Sequence, residues 1–277
     1  MISVPPGFMS GPGGDVADVY ARYTEVEAAA VAQVAEAMGV RPANLKDHAD
    51  ADLELPRGNR VLEVGCGTGA IARLLSRDPK VREVVGVDPS PLLVSKARHL
   101  AGSGEKLRFD VADGTALSFG ASSFDTVILH RVLSHVARPE QVLAEADRVL
   151  RRGGELAIFD GNFATLTLGG GDDDPLETCV AAFVPAHVHD PWIVQRLSTL
   201  AATTGFIAGR LRSFGQVQMD DTEYVVSIVE RGAAALVASG RIGAYLGEAL
   251  KAEARRRAQA GSLFGHVAYA CLMARKP

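Results

Sequence analysis

Five short apolar runs, separated by stretches of helix length, dominate the sequence between residues 60 and 160. They are rich in β-branched residues and end in small or acidic ones, which is typical of buried strands in a parallel sheet. Strands that alternate with helices predict an α/β fold with right-handed crossovers and helices on both faces of the sheet. Ligands of such sheets bind outside the carboxyl ends of the strands. The runs are RVLEVG, EVVGVD, LRFDVAD, FDTVILH and GELAIFD.

The pattern divides the chain into four segments. Residues 1–14 are rich in Pro and Gly and predict a disordered tail, whereas residues 15–57 predict a helix and a polar connector. Residues 58–160 hold the alternating runs, and the pattern becomes irregular in residues 161–277. That last segment contains a Gly/Asp run (GGGDDDP, 169–175), helix-like stretches at 191–205 and within 221–239 and 241–260, and the strand-like runs FIAGRLRSFGQVQ and GHVAYACLMA.

Composition limits the partners and the compartment. The formal net charge of −4 comes from 29 basic and 33 acidic residues, whereas a protein that binds a nucleic-acid backbone normally carries a basic excess. Cys66, Cys179 and Cys271 lack disulfide or metal-site spacing, so we expect free thiols, no metal and a reducing compartment. Neither a signal peptide nor an apolar run of membrane-spanning length is visible. We therefore expect a cytoplasmic protein without nucleic-acid or membrane partners.

The most unusual stretch is 61-VLEVGCGTGAIARLL-75, where a strand-like run enters a glycine cluster and leaves as a helix. Such a turn directs backbone N–H groups at a ligand and brings the main chain close to it. The spacing Gly-x-Gly-x-x-Ala from Gly65 fits the loose dinucleotide fingerprint, with Asp88 as the ribose ligand. Glu63 argues against a dinucleotide, because a carboxylate inside the first strand would repel a pyrophosphate and suits a cationic ligand.

Four landmarks in this order extend the glycine loop: VLEVGCGTG, VVGVDPS, VADGTALSF followed by SFDTVILHRVLSHV, and RVLRRGGEL. In them the chain resembles the class I S-adenosylmethionine-dependent methyltransferases, and more narrowly the branch of ubiquinone- and menaquinone-biosynthesis enzymes and small-molecule methyltransferases of secondary metabolism. The resemblance covers roughly residues 55–160. It implies a doubly wound, mostly parallel, seven-stranded Rossmann-like sheet with a helical cap, and S-adenosylmethionine as the cofactor.

The resemblance assigns cofactor roles to strand-end residues. Gly65 and Gly67 would let the loop approach the methionine and ribose parts of the cofactor. Glu63 would help to set the loop and its polar contacts. Asp88 would accept hydrogen bonds from both ribose hydroxyls, and Asp113 would accept one from the adenine amino group. His130 would lie near the methionine end, contributing backbone as much as side chain. Asp88 has an alternative role, since an aspartate here can also cap the next helix.

Candidates for a catalytic base lie in what would cover the cofactor. Tyr20 and Tyr23 share a face of the N-terminal helix, which in the resembling family often closes over the methyl donor; the alternative is packing of that helix onto the core. His135 follows the fourth run, and His187 and His189 lie in the irregular region after residue 160. A histidine has a suitable unperturbed pKa for a base near neutrality, although a structural or surface position is the alternative for each.

Three functions compete at this stage. The leading hypothesis is a methyltransferase acting on an O, N or C atom of a small, partly apolar metabolite, with residues 161–262 as a helical cap. The second is a biosynthetic enzyme on the same fold, such as a cyclase, that binds S-adenosylmethionine without using its methyl group. The third, a nicotinamide-dependent oxidoreductase, is disfavoured by Glu63 and the RRGG landmark. The sequence leaves the substrate and the oligomeric state open, a homodimer included.

Overall fold

The computed structural model describes residues 59–103, 105–171, 173–219 and 222–277. The predicted tail, the predicted N-terminal helix and both of its candidate tyrosines, Tyr20 and Tyr23, lie outside the described residues. Within the described ranges, no helix has the length and apolar character needed to cross a membrane.

Seven strands form one sheet in the described part of the chain, in the order β3-β2-β1-β4-β5-β7-β6. The strands are β1 (Asn59–Val64), β2 (Val81–Asp88), β3 (Leu107–Val111), β4 (Phe124–His130), β5 (Leu150–Leu168), β6 (Ile207–Gln218) and β7 (Gly265–Arg275). Strand β7 runs antiparallel to β5 and β6, and the other neighbouring pairs are parallel. The mostly parallel, seven-stranded α/β sheet is therefore confirmed.

The helices cover both faces of this sheet. They are α1 (Ala70–Leu75), α2 (Pro91–Ala101), α3 (Pro139–Val149), α4 (Glu177–His187), α5 (Ile193–Thr203), α6 (Glu223–Ala238) and α7 (Ala244–Gln259). Alternate residues of each strand point to opposite faces, so Val61 joins the core under α1, α2, α4, α6 and α7, whereas Leu62 joins the core under α3 and α5. Two buried faces explain why the strands read as continuous apolar runs.

The strand order places the site. It reverses between β1 and β4, because the chain first extends the sheet through β2 and β3 and then returns to the other side of β1. A crevice opens at the carboxyl ends of the strands where the order reverses. The registers Val64↔Val87 and Val64↔Leu129 bring Gly65, Asp88 and His130 to the same edge of the sheet. The glycine loop and the strand-end residues named from sequence therefore face one crevice.

The segment after Asp160 is more regular than the sequence indicates. Strand β5 continues to Leu168, because Gly161–Leu168 pairs with β7 across an irregular step between Asn162 and Thr167. Helix α4 occupies a stretch predicted to be irregular, where Pro185 and the preceding Gly/Asp run hide the helical spacing of its buried residues. Its last residue is His187.

Helices α4, α6 and α7 form a cap on the face of β5 and β7. The Gly/Asp run before α4 is anchored to this cap, because the carboxylate of Asp174 forms an ion pair with Arg257 of α7 and accepts a hydrogen bond from the backbone N–H of Gly170. Helices α4 and α6 cross closely at Gly232, where an added Cβ would lie 2.1 Å from the carbonyl oxygen of Cys179. A side chain at this position would separate the two helices.

We predict that Gly232→Ala destabilises the protein. Alanine inside an exposed helix normally stabilises by about 0.5–1 kcal/mol relative to glycine. Here the clash with the backbone of Cys179 should cost roughly 1–3 kcal/mol and outweigh that gain. Chemical denaturation of the variant measures the sign. Gly170→Ala is the matched control, since no atom of the described residues lies within 4 Å of a Cβ at Gly170. A Gly232 variant more stable than the parent would contradict the close crossing.

Candidate active site at the carboxyl ends of the strands

The glycine loop between β1 and α1 folds back onto the end of β2. The backbone N–H groups of Gly65 and Cys66 both donate to the carbonyl oxygen of Val87, at 2.7 and 2.9 Å. The N–H of Gly69 donates to the carbonyl oxygen of Cys66 at 2.7 Å. Gly65, Gly67 and Gly69 have φ angles of 75°, 52° and 76°, a left-handed conformation that favours glycine.

This pattern corrects the expectation that the loop directs its N–H groups at the ligand. Phosphate sites at helix N-termini depend on unsatisfied backbone donors, but here Gly65, Cys66 and Gly69 donate within the protein. The N–H of Gly67 also has an internal partner, an Asp88 carboxylate oxygen at 3.0 Å. The loop is therefore not arranged as a pyrophosphate cradle, which argues against a dinucleotide.

The loop does offer a close approach to its backbone. No described atom lies within 4 Å of a Cβ built on Gly67, so this residue presents bare main chain to the crevice. Gly65 instead packs against Val132, whose Cγ2 would lie 2.5 Å from an added Cβ. The segment after β4 thus touches the glycine loop directly, and the two sides of the crevice are in contact.

Glu63 supports the loop from within the sheet. It is 2% exposed, and its Oε2 accepts a hydrogen bond of 2.9 Å from the backbone N–H of Ala72 in the first turn of α1. Burial, opposed by this hydrogen bond, raises the pKa of the carboxyl to about 8, with a smaller contribution from the charge of Asp88. The sequence argument gave Glu63 a negative charge, but at neutral pH in the unliganded protein the carboxyl is largely protonated. A nearby cation would favour its ionised form.

Asp88 ends β2 and ties the glycine loop to the start of α2. Its Oδ2 accepts from the N–H of Gly67, and its Oδ1 accepts from the N–H of Ser90 at 2.9 Å. Ser90 itself is the N-cap of α2 and accepts from Leu93. Burial raises the pKa of the Asp88 carboxyl, opposed by the two backbone hydrogen bonds. Asp88 therefore stabilises the turn after β1 and the turn after β2, and the residue that caps α2 is Ser90.

Asp113 lies beyond the end of β3 and is half-buried. One carboxylate oxygen, Oδ1, accepts hydrogen bonds from the N–H and the hydroxyl of Thr115, at 2.8 and 2.7 Å. These contacts fix the orientation of the carboxylate. Because Ala112 also donates its N–H to the carbonyl oxygen of Asp88, at 3.2 Å, the three strand ends form one continuous rim.

The three histidine candidates differ in exposure. His187 is 5% exposed, and burial together with the nearby charge of Arg231 lowers its pKa to about 4. His189 is exposed, with its backbone N–H donating to the carbonyl oxygen of Ser134. His135 is intermediate in exposure, and its Nδ1 lies 3.0 Å from the carbonyl oxygen of His187. Burial and then the charge of Arg131 lower the pKa of His135 to about 3. The imidazole rings of His135 and His187 are therefore neutral at pH 7.

The sequence analysis did not single out two further residues at this edge. Asp160 is fully buried and holds the chain after β4, accepting from the N–H groups of Ser134 and Gly161 at 3.2 and 2.8 Å. The guanidinium carbon of Arg131 lies 5.3 Å from the ring centroid of Tyr224, which links β4 to the cap. Asp160 could have been found from the sequence, because the run GELAIFD ends in this acid. The contact of Arg131 with Tyr224 depends on how α6 packs and cannot be predicted from the sequence around Arg131.

Glu63 generates a pH-dependent prediction. Its carboxyl keeps a proton in the folded state between its ordinary pKa of 4.5 and about 8, whereas the unfolded state loses that proton, so stability falls as pH rises through this window. Glu63→Gln keeps an oxygen for Ala72 without titrating. We predict that the melting temperature of E63Q, relative to the parent, rises from pH 5 to pH 8. For the control Glu105→Gln, at an exposed position, the difference in melting temperature from the parent should be the same at pH 5 and pH 8. The same result for E63Q would contradict a proton held by Glu63 in the folded state.

Comparison with known proteins agrees with this geometry. A family model described as "Methyltransferase domain" matches residues 62–158. The 2-methyl-6-phytyl-1,4-hydroquinone methyltransferase of Synechocystis sp. is 37% identical over 108 residues, which are 39% of this chain and 34% of that protein. The demethylmenaquinone methyltransferase of Thermus thermophilus is 36% identical over 111 residues, 39% of this chain and 50% of that protein. The matches thus span half or less of these curated relatives.

Solved structures agree in fold. A putative methyltransferase from Bacillus halodurans C-125 superposes with a TM-score of 0.59 at 17% identity, over 90% of this chain and 99% of that chain. The cyclase SpnF superposes with a TM-score of 0.52 at 21% identity, over 94% of this chain and 96% of that chain. The domain family implies S-adenosylmethionine as the cofactor, and the residues at the strand ends fit it. Residues 62–158 therefore form a methyltransferase domain with the class I fold.

Proposed function

We propose that the chain transfers the methyl group of S-adenosylmethionine to a nucleophilic atom of a small, partly apolar metabolite. The observation that carries the proposal is the crevice beside β1, where the bare backbone of Gly67 lies next to the buried acids Glu63 and Asp88. The two relatives are named for a hydroquinone and a demethylmenaquinone, which supports a small acceptor with apolar character. The net charge of −4 disfavours a nucleic-acid acceptor.

The strand-end acids have the capacity to hold the nucleoside. An ionised carboxylate offers about four lone-pair positions, and Asp88 uses two of them for Gly67 and Ser90. The remaining two can accept both ribose hydroxyls. Asp113 uses Oδ1 for Thr115, so its other oxygen can accept from the adenine amino group. In this proposal Gly65 and Gly67 pass close to the methionine and ribose parts, as does the backbone of His130.

The charge of the site favours a cation. S-adenosylmethionine carries a sulfonium and an ammonium against one carboxylate, whereas a dinucleotide carries a pyrophosphate. The pKa values of the Glu63 and Asp88 carboxyls are both raised in the unliganded protein, and a cation beside them would favour ionisation of both. An anion in the same place would oppose it. These two carboxyls therefore support binding of the methyl donor rather than of NAD.

Catalysis of methyl transfer depends mainly on how the acceptor atom is positioned relative to the methyl group. When bound, S-adenosylmethionine supplies an electrophilic methyl group, and an acceptor held in line with it needs no covalent help from the protein. The cap helices α4, α6 and α7 cover the face of β5 and β7 next to the crevice. We assign residues 161–262 the role of closing over the acceptor and excluding water. The anchored Asp174 fixes one end of this cap.

A non-methylating enzyme is the second candidate, favoured by the likeness to the cyclase SpnF. Fold alone does not separate the two functions. The discriminating experiment incubates the protein and S-adenosylmethionine with reduced quinones and hydroxylated aromatic compounds and follows products by mass spectrometry. We expect a product with one added methyl group and an equal amount of S-adenosylhomocysteine. A product isomeric with its substrate, formed without S-adenosylhomocysteine, would support the cyclase and exclude methyl transfer.

Cofactor binding tests the role of Asp88. Removing a charged hydrogen-bond acceptor costs about 1.5–3 kcal/mol for each bond, so Asp88→Ala should weaken S-adenosylhomocysteine binding at least about tenfold. Calorimetry measures the dissociation constant, and circular dichroism checks the fold. Asp110→Ala is the control, because Asp110 lies on the neighbouring strand and pairs with Arg108 at the surface. Unchanged affinity in a folded D88A protein, or tighter binding of NADH than of S-adenosylhomocysteine by the parent, would refute the assignment.

A further inference from the structure

The imidazole of His130, at the carboxyl end of β4, has a buried ring nitrogen. Its Nε2 is buried and has no hydrogen-bond partner among the residues that the structure describes. A buried polar atom without a partner destabilises a protein by about 1–3 kcal/mol, and such atoms in native structures often mark a place where a ligand supplies the partner. Burial also lowers the pKa of His130 to about 4, so the ring is neutral at pH 7 and retains one unprotonated nitrogen.

The orientation of the ring is fixed by an aromatic stack across three strands. The imidazole of His130 stacks on Phe159 of β5, with centroids 5.1 Å apart and planes inclined by 14°. Phe159 stacks in turn on Tyr269 of β7, at 5.3 Å and 11°. The backbone N–H of Arg131 donates to the carbonyl oxygen of Phe159 at 2.7 Å. Arg131 has a φ of 56°, a conformation unfavourable for a non-glycine residue.

This stack places the imidazole of His130 beside the rings of β5 and β7. Gly67, Asp88 and Asp113 follow β1, β2 and β3, which all lie on one side of β4. The imidazole instead faces β5 and β7 on the other side, where Phe159 and Tyr269 belong to the core shared with the cap helices. The backbone of His130 remains beside the glycine loop. One residue thus borders both the cofactor side and the cap side of the crevice.

We propose that the imidazole of His130 contacts the methyl acceptor, with Nε2 accepting the proton of a hydroxyl or amine nucleophile. The inference rests on the proposed methyltransferase function and narrows its acceptor to a protic O–H or N–H group. The ring then carries its own proton on Nδ1. In this proposal His130 is the catalytic base in place of the sequence candidates His135, His187, His189 and Tyr20.

The proposed step balances without another reactant. The lone pair of the acceptor oxygen or nitrogen forms a bond to the methyl carbon, while the C–S bond breaks and its electron pair stays on sulfur. The attacked group becomes strongly acidic as it gains positive charge, so even a weakly basic imidazole takes its proton. The sulfonium loses its charge as the imidazolium forms, and the net charge of the crevice is unchanged. The imidazolium returns its proton to solvent when the product leaves.

The test compares two ligands and one isosteric variant. Phenol carries the proposed O–H group, and anisole has the same ring without the proton. His130→Phe keeps a ring to stack on Phe159 and removes both nitrogens. In protein saturated with S-adenosylhomocysteine, phenol should bind at least about threefold more tightly than anisole, as expected for one hydrogen bond. Phenol should also shift the Nε2 signal of His130 in ¹⁵N NMR. H130F should bind both ligands equally.

Two further measurements separate this role from a structural one. H130F should melt at the same temperature as the parent or higher, since it removes an unsatisfied nitrogen, and its affinity for S-adenosylhomocysteine should stay within about twofold. With an acceptor found in the product assay, its single-turnover methyl-transfer rate should fall by about 100-fold or more. His99→Phe, a substitution on the exposed surface of α2, should change none of these quantities.

The outcomes are distinguishable. Equal preference for phenol in parent and H130F, binding of neither ligand, or an unchanged transfer rate would overturn the role of His130 and leave the methyltransferase proposal intact. Tenfold weaker S-adenosylhomocysteine binding by H130F would move the imidazole to the cofactor site and also overturn it. Failure of the parent to bind S-adenosylhomocysteine would refute the proposed function itself.

Discussion

The attachment of the glycine loop to the end of β2 determines the geometry of the rest of the site. Two N–H groups of the loop share the carbonyl oxygen of Val87, and a third donates to the carboxylate of Asp88. These bonds hold the turn against the second strand, while Glu63 fixes the first turn of α1 through Ala72. The loop can then present Gly67 to the crevice as bare backbone. Together with the register of β1 and β2, these bonds place the acids and the loop at one edge of the sheet.

The same arrangement buries two acids, Glu63 and Asp88. Placing Glu63 and Asp88 in the core raises both pKa values and destabilises their charged forms. Each acid has a structural hydrogen bond to backbone N–H groups, which compensates in part for burial. In the proposed function, a cationic ligand beside these two carboxyls would favour their ionised forms.

The alternating apolar runs predicted the fold because both faces of the sheet are buried, so strand identity depends on local composition. Placement of Asp88 and Asp113 at one edge followed from the same pattern. The direction of the loop N–H groups could not be predicted, because it depends on pairing with Val87, a residue that is distant in sequence. Helix α4 was hidden by Pro185. His187 is buried and His189 is exposed because the helix ends between them, and the local sequence does not show where it ends. The raised pKa of Glu63 comes from burial, which the local sequence does not show either.

The antiparallel strand β7 has a consequence for assembly of the molecule. It lies between β5 and β6 in the sheet, although both of those strands precede it in the chain. During synthesis strands β1 to β5, which are connected by the three helices α1, α2 and α3 and by one loop, can pair as they emerge. Strand β6 has no described neighbour until Gly265–Arg275 is available. The stacked ring of Tyr269 arrives with the same strand. The sheet beside β5 and β6 therefore depends on the last strand of the sequence, whereas β1 to β4 pair without it.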